Sequence, residues 1–329
     1  MLDLTRLLPG PWATLQLSDL GADVIKVEDP DLGDYMRALS PGMFAALNRG
    51  KRSVSIDLKK PAGLTAFKRL CSSSDVVVES FRPGVMERLG LGDLCSEFPR
   101  MIVCRLSGYG QTESPWRDRA GHDIGYIALA GVLARCRELP GVQLADLFGG
   151  AQNIVVAVLA ALLERTRSGR GQSLDVAMMD GSLGLVLPYL GGDTLDVLLG
   201  GHACYRVYDC KGGGRMALGS LEPKFWKAFC QTVGQPSWVE QQLDLALTPV
   251  VDELFLTRTR DEWDALLRPA DCCSEAVLTL DELRTHPLLQ ARQLFLPGGL
   301  PRTVPALVPT ALLPTSAAPS LGQHDADLL

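Results

Sequence analysis

The chain has 329 residues, enough for about two domains. With 47% hydrophobic and 21% charged residues and a mean hydropathy of +0.12, it has ample apolar material for a core, which excludes intrinsic disorder. A net charge of −6 and a pI near 5.3 exclude a surface built as a whole to neutralise nucleic-acid phosphates, so an anionic ligand must be met by local basic clusters. None of the nine cysteines forms a Cys-x-x-Cys pair beside a histidine, so no metal site is expected. Without an N-terminal signal peptide, the thiols are expected to be small core groups of a cytoplasmic protein.

Over the first 180 residues strand-like runs alternate with helical segments, the pattern of an open, doubly wound α/β sheet. Strands are predicted over 22–27, 53–57, 75–79, 101–106 and 172–177. A helix is predicted over 62–71, where Leu64, Phe67, Leu70 and Cys71 recur at helical spacing. Arg49, Lys51, Arg52 and Lys59 fall in one short segment, and Arg82 and Arg88 bracket a proline and a glycine in SFRPGVMERLG. Each cluster reads either as a solvated basic face or as a phosphate site. No P-loop and no GxGxxG after a strand is present, which weighs against nucleoside triphosphates and dinucleotides.

In AGHDIGYIALAGVL, His122 stands beside Gly121 before an apolar helix start, as a neighbour of the helix cap or as a functional imidazole. From Asp146 the text reads as a buried helix with an acidic N-cap, an apolar body, a basic last turn and a glycine stop. Asp146 is either an ordinary cap or a carboxylate set, with Gly149 and Gly150, where free N–H groups hold an anion or oxyanion. The longest apolar run, 154–163, is about ten residues against the roughly 20 of a membrane span, so no span is expected. A linker over 181–200 should lead to a smaller α+β domain over 201–293, with a hairpin in CYRVYDCKGGGRMALGS and helices over 223–233 and 250–267. Glu222, before Pro223, reads by default as a first-turn acid. His202, His286 and His324 read as solvated loop residues. Residues 294–329, rich in proline and alanine, read as an extended return connector and tail.

Taken in order, LTRLLPGPWATLQLSDLGADVIKVE, LNRGKRSVSIDLK, DVVVESFRPGVMERLGLG, RLSGYGQT, AGHDIGYIALAG, LADLFGG, GQSLDVAMMDG and SLEPKFW resemble the family III CoA-transferase superfamily (CaiB/BaiF type), in particular its α-methylacyl-CoA racemase branch. The resemblance covers nearly the full chain. It implies a Rossmann-like large domain over 1–180 to which 300–329 returns, long linkers to the small domain, and an interlocked homodimer. It implies an acyl-CoA thioester as substrate and no separate cofactor, CoA being part of the substrate. By the same resemblance His122 and Asp146 are the catalytic pair, supported by Glu222. The implied CoA contacts are Ile56, Asp57, Leu58 and Lys59, then Ser80, Phe81, Arg82 and Arg88, then Gly121, Asp123 and Tyr126. The chain departs from the family at Asp29, where a basic residue is frequent before Pro30, and at Gly125, where asparagine is common. It also starts inside the first strand and is nearly without a final helix after Gly322.

The superfamily carries out two chemistries at one place. In the transferases the aspartate is a nucleophile that takes the acyl group. In the racemases it is an acid/base partner, and 1,1-proton transfer needs a second base on the opposite face of the α-carbon, the part that His122 fits. The expected function is therefore a 2-methylacyl-CoA racemase working through an enolate, whose oxygen the first amides of the Asp146 helix would stabilise. A CoA-transferase between carboxylic acids is the alternative, and an inactive CoA-binding scaffold is a third reading. Burial would raise the Asp146 pKa while a helix N-terminus would lower it, and the sequence leaves the sign open.

Overall fold

The computed structural model describes residues 1–192, 195–305 and 316–329. The chain forms two compact units, one of Met1–Ala134, Glu138–Leu187 and Gln290–Leu329, the other of Arg135–Arg137 and Pro188–Leu289. The expected 181–200 linker is thus divided between the units, and its described part holds the 3-10 turns Leu187–Tyr189 and Asp196–Leu199. The smaller unit closes at Leu289 instead of at 293. Residues 306–315 of the expected return connector lie outside the described residues.

The larger unit is built on six parallel strands in the order β3-β2-β1-β4-β5-β6. These are β1 (Leu2–Leu4), β2 (Ile25–Glu28), β3 (Arg52–Ser55), β4 (Val76–Glu79), β5 (Ile102–Ser107) and β6 (Ser173–Ala177). The three residues of β1 are too few to show a period, yet they form the centre of the sheet. Runs such as VVVE are buried along their whole length because helices cover both faces of the sheet. On one face Phe67, Leu70 and Cys71 of the Pro61–Ser72 helix pack with Leu2, Leu4, Val77 and Val103. On the other, Ala13 and Leu17 of Pro9–Asp19 join Ile154 and Val158 against Val76, Val78 and Cys104. Strand order reverses between β1 and β4, and in such sheets ligands bind in the crevice beyond the carboxyl ends there.

The long helix after Asp146 differs from its expectation in two ways. Ala145–Gln152 is π-helical and runs into the α-helix Asn153–Ser168, which stops at Gly169 with φ 72°. Together these 24 residues are long and apolar enough to cross a membrane by length and composition, which the ten-residue apolar run did not foretell. Their inner face, Ile154, Val155, Val158 and Ala161, is buried on the sheet, whereas Val156, Leu159 and Leu163 are 45–60% exposed, so one face is buried and not the whole helix. The π-turn presses on the Met178–Leu183 helix through glycines. A Cβ on Gly149 would lie 2.2 Å from the Met178 carbonyl oxygen, and one on Gly181 would lie 2.1 Å from that of Gly149. Gly149 thus serves close packing.

Beneath the carboxyl end of β1 lies a buried polar network. Lys26 Nζ is 3.0 Å from Asp34 Oδ2 and donates to the Thr5 carbonyl at 2.9 Å. Lys51 Nζ donates to Asp3 at 3.0 Å, Thr14 at 2.8 Å and Asn48 at 2.9 Å. Burial lowers Lys51 to about 8 against the opposing pull of Asp3. Arg49 forms a two-pronged, buried pair with Asp19 at 2.6 and 2.5 Å, and Arg52 pairs with Asp23. The phosphate reading of the 49–59 cluster is corrected accordingly: three of its four cations (Arg49, Lys51 and Arg52) belong to structural pairs, and Lys59 alone reaches a cavity.

Residues 316–329 return to the outer edge of β3. The His324 amide donates to the Ser53 carbonyl at 2.9 Å, the Ser53 amide to His324 Nδ1 at 3.1 Å, and the Ser55 amide to Asp325 Oδ1 at 2.7 Å. His324 is therefore a sheet-edge residue and not a solvated one. His202 and His286 are half-buried, each with Nδ1 enclosed by protein.

In the smaller unit β7 (Tyr205–Asp209), β8 (Arg215–Gly219) and β9 (Ser274–Ala276) form an antiparallel sheet. The hairpin turns on Gly212 and Gly213, with φ 84° and 92°, a region open to glycine. The predicted 250–267 helix is two, Thr248–Phe255 and Arg260–Leu267, the second started by a capping box between Thr259 and Glu262. Tyr208 stacks on Phe255 at 4.2 Å in a core with Trp226, Phe229 and Trp263. All nine thiols are free.

Candidate active site

The loops after β1, β4 and β5 meet at the reversal of strand order, and two cavities open between them. The first, about 280 Å³, is lined by Ile56, Asp57, Leu58 and Lys59 beyond β3, with Asp29 at its wall. The second, about 510 Å³, holds His122, Asp146, Tyr126, Gly121, Ser80 and Arg82. Arg6, Tyr35 and Phe81 line both. Volumes of this size suit a small organic ligand.

His122 is the N-cap residue of the Asp123–Leu129 helix through its backbone, whose carbonyl accepts from the Gly125 amide at 2.8 Å. The imidazole makes no capping bond and is exposed to the cavity. Tyr126 lies beneath it, pushed up to about 12 by burial, edge-on to Tyr109 at 5.1 Å. A Cβ on Gly121 would fall 2.6 Å from the Tyr126 ring, so the residue before His122 must be glycine for the tyrosine to fit.

Asp146 is the second residue of the π-turn, not a helix cap. Its amide donates to Asp123 Oδ1 at 2.9 Å, a carboxylate supplied by another helix. The expectation that this amide serves an oxyanion is corrected, because Asp123 occupies it. The same contact places Asp123 beside Asp146 and outside both cavity walls. Burial first, and then the Asp123 charge, raise the Asp146 carboxyl to about 6 against the lowering influence of His122. The sign left open by the sequence is therefore upward. The Asp146 amide, held by a second carboxylate, brings a negative charge beside the carboxyl that adds to desolvation.

The structure gathers the remaining predicted residues only in part. Asp57 is held below the usual carboxylate range by the Lys59 amide and by Lys60, at 3.2 Å. The Ser80 hydroxyl accepts from the Arg6 amide at 3.3 Å. Buried Glu79 accepts from the Phe81 amide at 2.6 Å, and its burial pushes it up to about 7. Arg88 lines neither cavity, and its guanidinium lies against Gly84. Glu222 is the N-cap of Pro223–Thr232 in the smaller unit. Sequence reasoning missed Arg6, Tyr35, Arg117 and Arg119, which line the second cavity. For Arg6 the available signal was its place, two residues beyond a strand end.

These features define a doubly wound α/β protein whose candidate site lies at the carboxyl ends of its central strands. Residues 1–325 match CoA-transferase family III, and the chain belongs to that family. It is 35% identical to human alpha-methylacyl-CoA racemase over 365 aligned positions, covering 100% of this chain and 91% of the relative. It is 30% identical to succinate–glutarate CoA-transferase of Agrobacterium fabrum, covering 100% and 93%. A crystal structure of a CAIB/BAIF family protein from Brucella suis superposes with a TM-score of 0.85 at 29% identity, covering 99% and 96%. Racemases and transferases thus both stand among the relatives, and the chain is an enzyme of CoA thioesters in one of those two classes.

Proposed function

We propose that the protein is a 2-methylacyl-CoA racemase that moves a proton at the α-carbon through an enolate. The observation that carries this reading is the meeting of His122 and Asp146 in one cavity, with Asp146 raised to about 6. A carboxyl near that value exchanges its proton close to neutrality, as an acid/base partner must, whereas a nucleophile is served by full ionisation. In one direction His122 removes the α-proton and protonated Asp146 returns one to the opposite face. In the other direction the roles exchange. Side chains alone carry both protons, so no cofactor is called for beyond the CoA of the substrate. The 35% identity to a racemase over the whole chain supports the assignment.

The nucleotide of CoA is assigned to the first cavity, around Ile56 to Lys59, with Arg82 as a further cation in the second cavity, while Arg88 stands outside both. The exposed apolar row Val156, Leu159 and Leu163 on one helix face supports a homodimer. Nine unpaired thiols support a reducing, cytoplasmic setting. Incubation of one 2-methylacyl-CoA epimer in deuterated water tests the reaction. The α-proton should exchange and both epimers should appear. Retention of the α-proton together with acyl transfer to an added dicarboxylate would overturn the racemase in favour of the transferase.

A further inference from the structure

Arg6 stands at the waist between the two cavities. Its guanidinium carbon is 5.0 Å from the Tyr35 ring centre and 5.9 Å from that of Phe81, the other two residues shared by both cavities. Its Nη1 donates to the Tyr35 hydroxyl at 2.8 Å. The partner is a phenol, whereas Arg37, in the short helix after Tyr35, is held by the Glu28 carboxylate.

The backbone carrying Arg6 is fixed from three sides. Lys26 holds the Thr5 carbonyl at 2.9 Å, the Arg6 amide reaches Ser80 at 3.3 Å, and the Leu7 amide reaches Asp34 Oδ1 at 3.0 Å. Leu7 has φ 67°, a left-handed conformation that is unfavourable for a non-glycine residue. The ion pair that anchors the loop, Lys26 with Asp34, is fully buried, and burying two charges carries a desolvation penalty of its own. Strained backbone held by surrounding structure is characteristic of sites that present a side chain to a ligand.

We infer that Arg6 is the diphosphate-binding residue of this site, clamped between Tyr35 and Phe81 where a CoA thioester passes from the nucleotide cavity to the acyl cavity. The inference rests on the CoA reading above. With adenosine near Ile56 to Lys59 and the thioester near His122 and Asp146, the diphosphate is the part of CoA that crosses the waist. A planar guanidinium suits it, since its parallel donors engage two phosphate oxygens at once. Flanking aromatic rings orient the cation and exclude water from one side. Lys59 lies in the nucleotide cavity alone and Arg82 in the acyl cavity alone, so neither spans the junction.

Calorimetric titration of CoA and of 3′-dephospho-CoA into the native protein, Arg6→Gln and Arg6→Lys tests the assignment, with circular dichroism as the control for folding. Both ligands keep the diphosphate, so Arg6→Gln should weaken both by about 10- to 100-fold, with partial recovery in Arg6→Lys. With an acyl-pantetheine thioester, which carries no phosphate, the loss in kcat/KM should stay below about threefold. A loss confined to CoA would give Arg6 to the 3′-phosphate and overturn the inference. An equal loss with the pantetheine thioester would make Arg6 structural and overturn it too. Native binding that Arg6→Gln leaves intact overturns the assignment of Arg6 alone, whereas a native protein that binds neither CoA form overturns the CoA reading and this inference with it.

Discussion

The Asp123 carboxylate accepts the backbone amide of Asp146, and its charge, after burial, raises the proton affinity of the Asp146 carboxyl. Replacing Asp123 by asparagine keeps an oxygen for the Asp146 amide but removes the adjacent negative charge. Burial still raises the carboxyl, but with the Asp123 charge gone the Asp146 pKa should fall below about 6, toward the ordinary carboxylate range. The other titratable groups on the packed elements are Tyr126 beside His122, and Asp175 and Asp180 on β6 and its following helix; the short-range influence on Asp146 comes from Asp123 and His122. In the direction where Asp146 is the base, kcat/KM for α-proton exchange rises as Asp146 ionises. In Asp123→Asn the midpoint of that rise should therefore move to lower pH, and a carbon-13 titration of the Asp146 carboxyl should move with it. A lowered plateau with an unmoved midpoint would assign Asp123 a purely structural part.

The π-turn shows what a local reading of sequence reaches and what it does not. An aspartate before an apolar run has the pattern of an N-cap, and the long helix with its glycine stop was legible for that reason. The acceptor for the Asp146 amide comes instead from Asp123, 23 positions away in another helix, and no local pattern encodes such a partner. The strands past β1 were legible because they alternate with amphipathic helices, while β1 itself is too short to carry a pattern. Gly149 lies in LADLFGG and Gly181 in GQSLDVAMMDG, but their contact appears only when the two helices meet. Gly181→Ala should force those helices apart and destabilise the protein by about 1–3 kcal/mol or more, read as a lowered midpoint in thermal or urea unfolding. Gly42→Ala is the control, since a Cβ there meets nothing within 4 Å in the Pro41–Asn48 helix and should be neutral or slightly stabilising.

Over the whole molecule, pieces of the candidate site close in sequence were readable, as with Ile56 to Lys59 and with Gly121, His122 and Tyr126. Arg6 and Tyr35 were not, because strand order alone brings the loop after β1 beside those after β2 and β4. Basic runs misled in the opposite sense: Arg49 and Lys51 look like surface charge, yet both are buried, since charge in a sequence does not show which partner will enclose it. Residues 316–329 act at this scale as well, closing the edge of β3. Their removal should leave the Ser53 and Ser55 amides open, and light scattering of a chain ending at 315 should show concentration-dependent self-association. An unchanged monomer-to-oligomer balance would show that the edge is protected in another way. The same closure has a meaning in time. Ser55 and Asp325 are 270 positions apart, so at about 5–20 residues per second a ribosome needs roughly 15 to 50 seconds between making the edge and making its cover. Throughout that interval a nascent chain carries an open strand, and neighbouring ribosomes on one messenger present identical ones. The pace of translation and the spacing of ribosomes therefore bear on how much of this protein reaches the folded state.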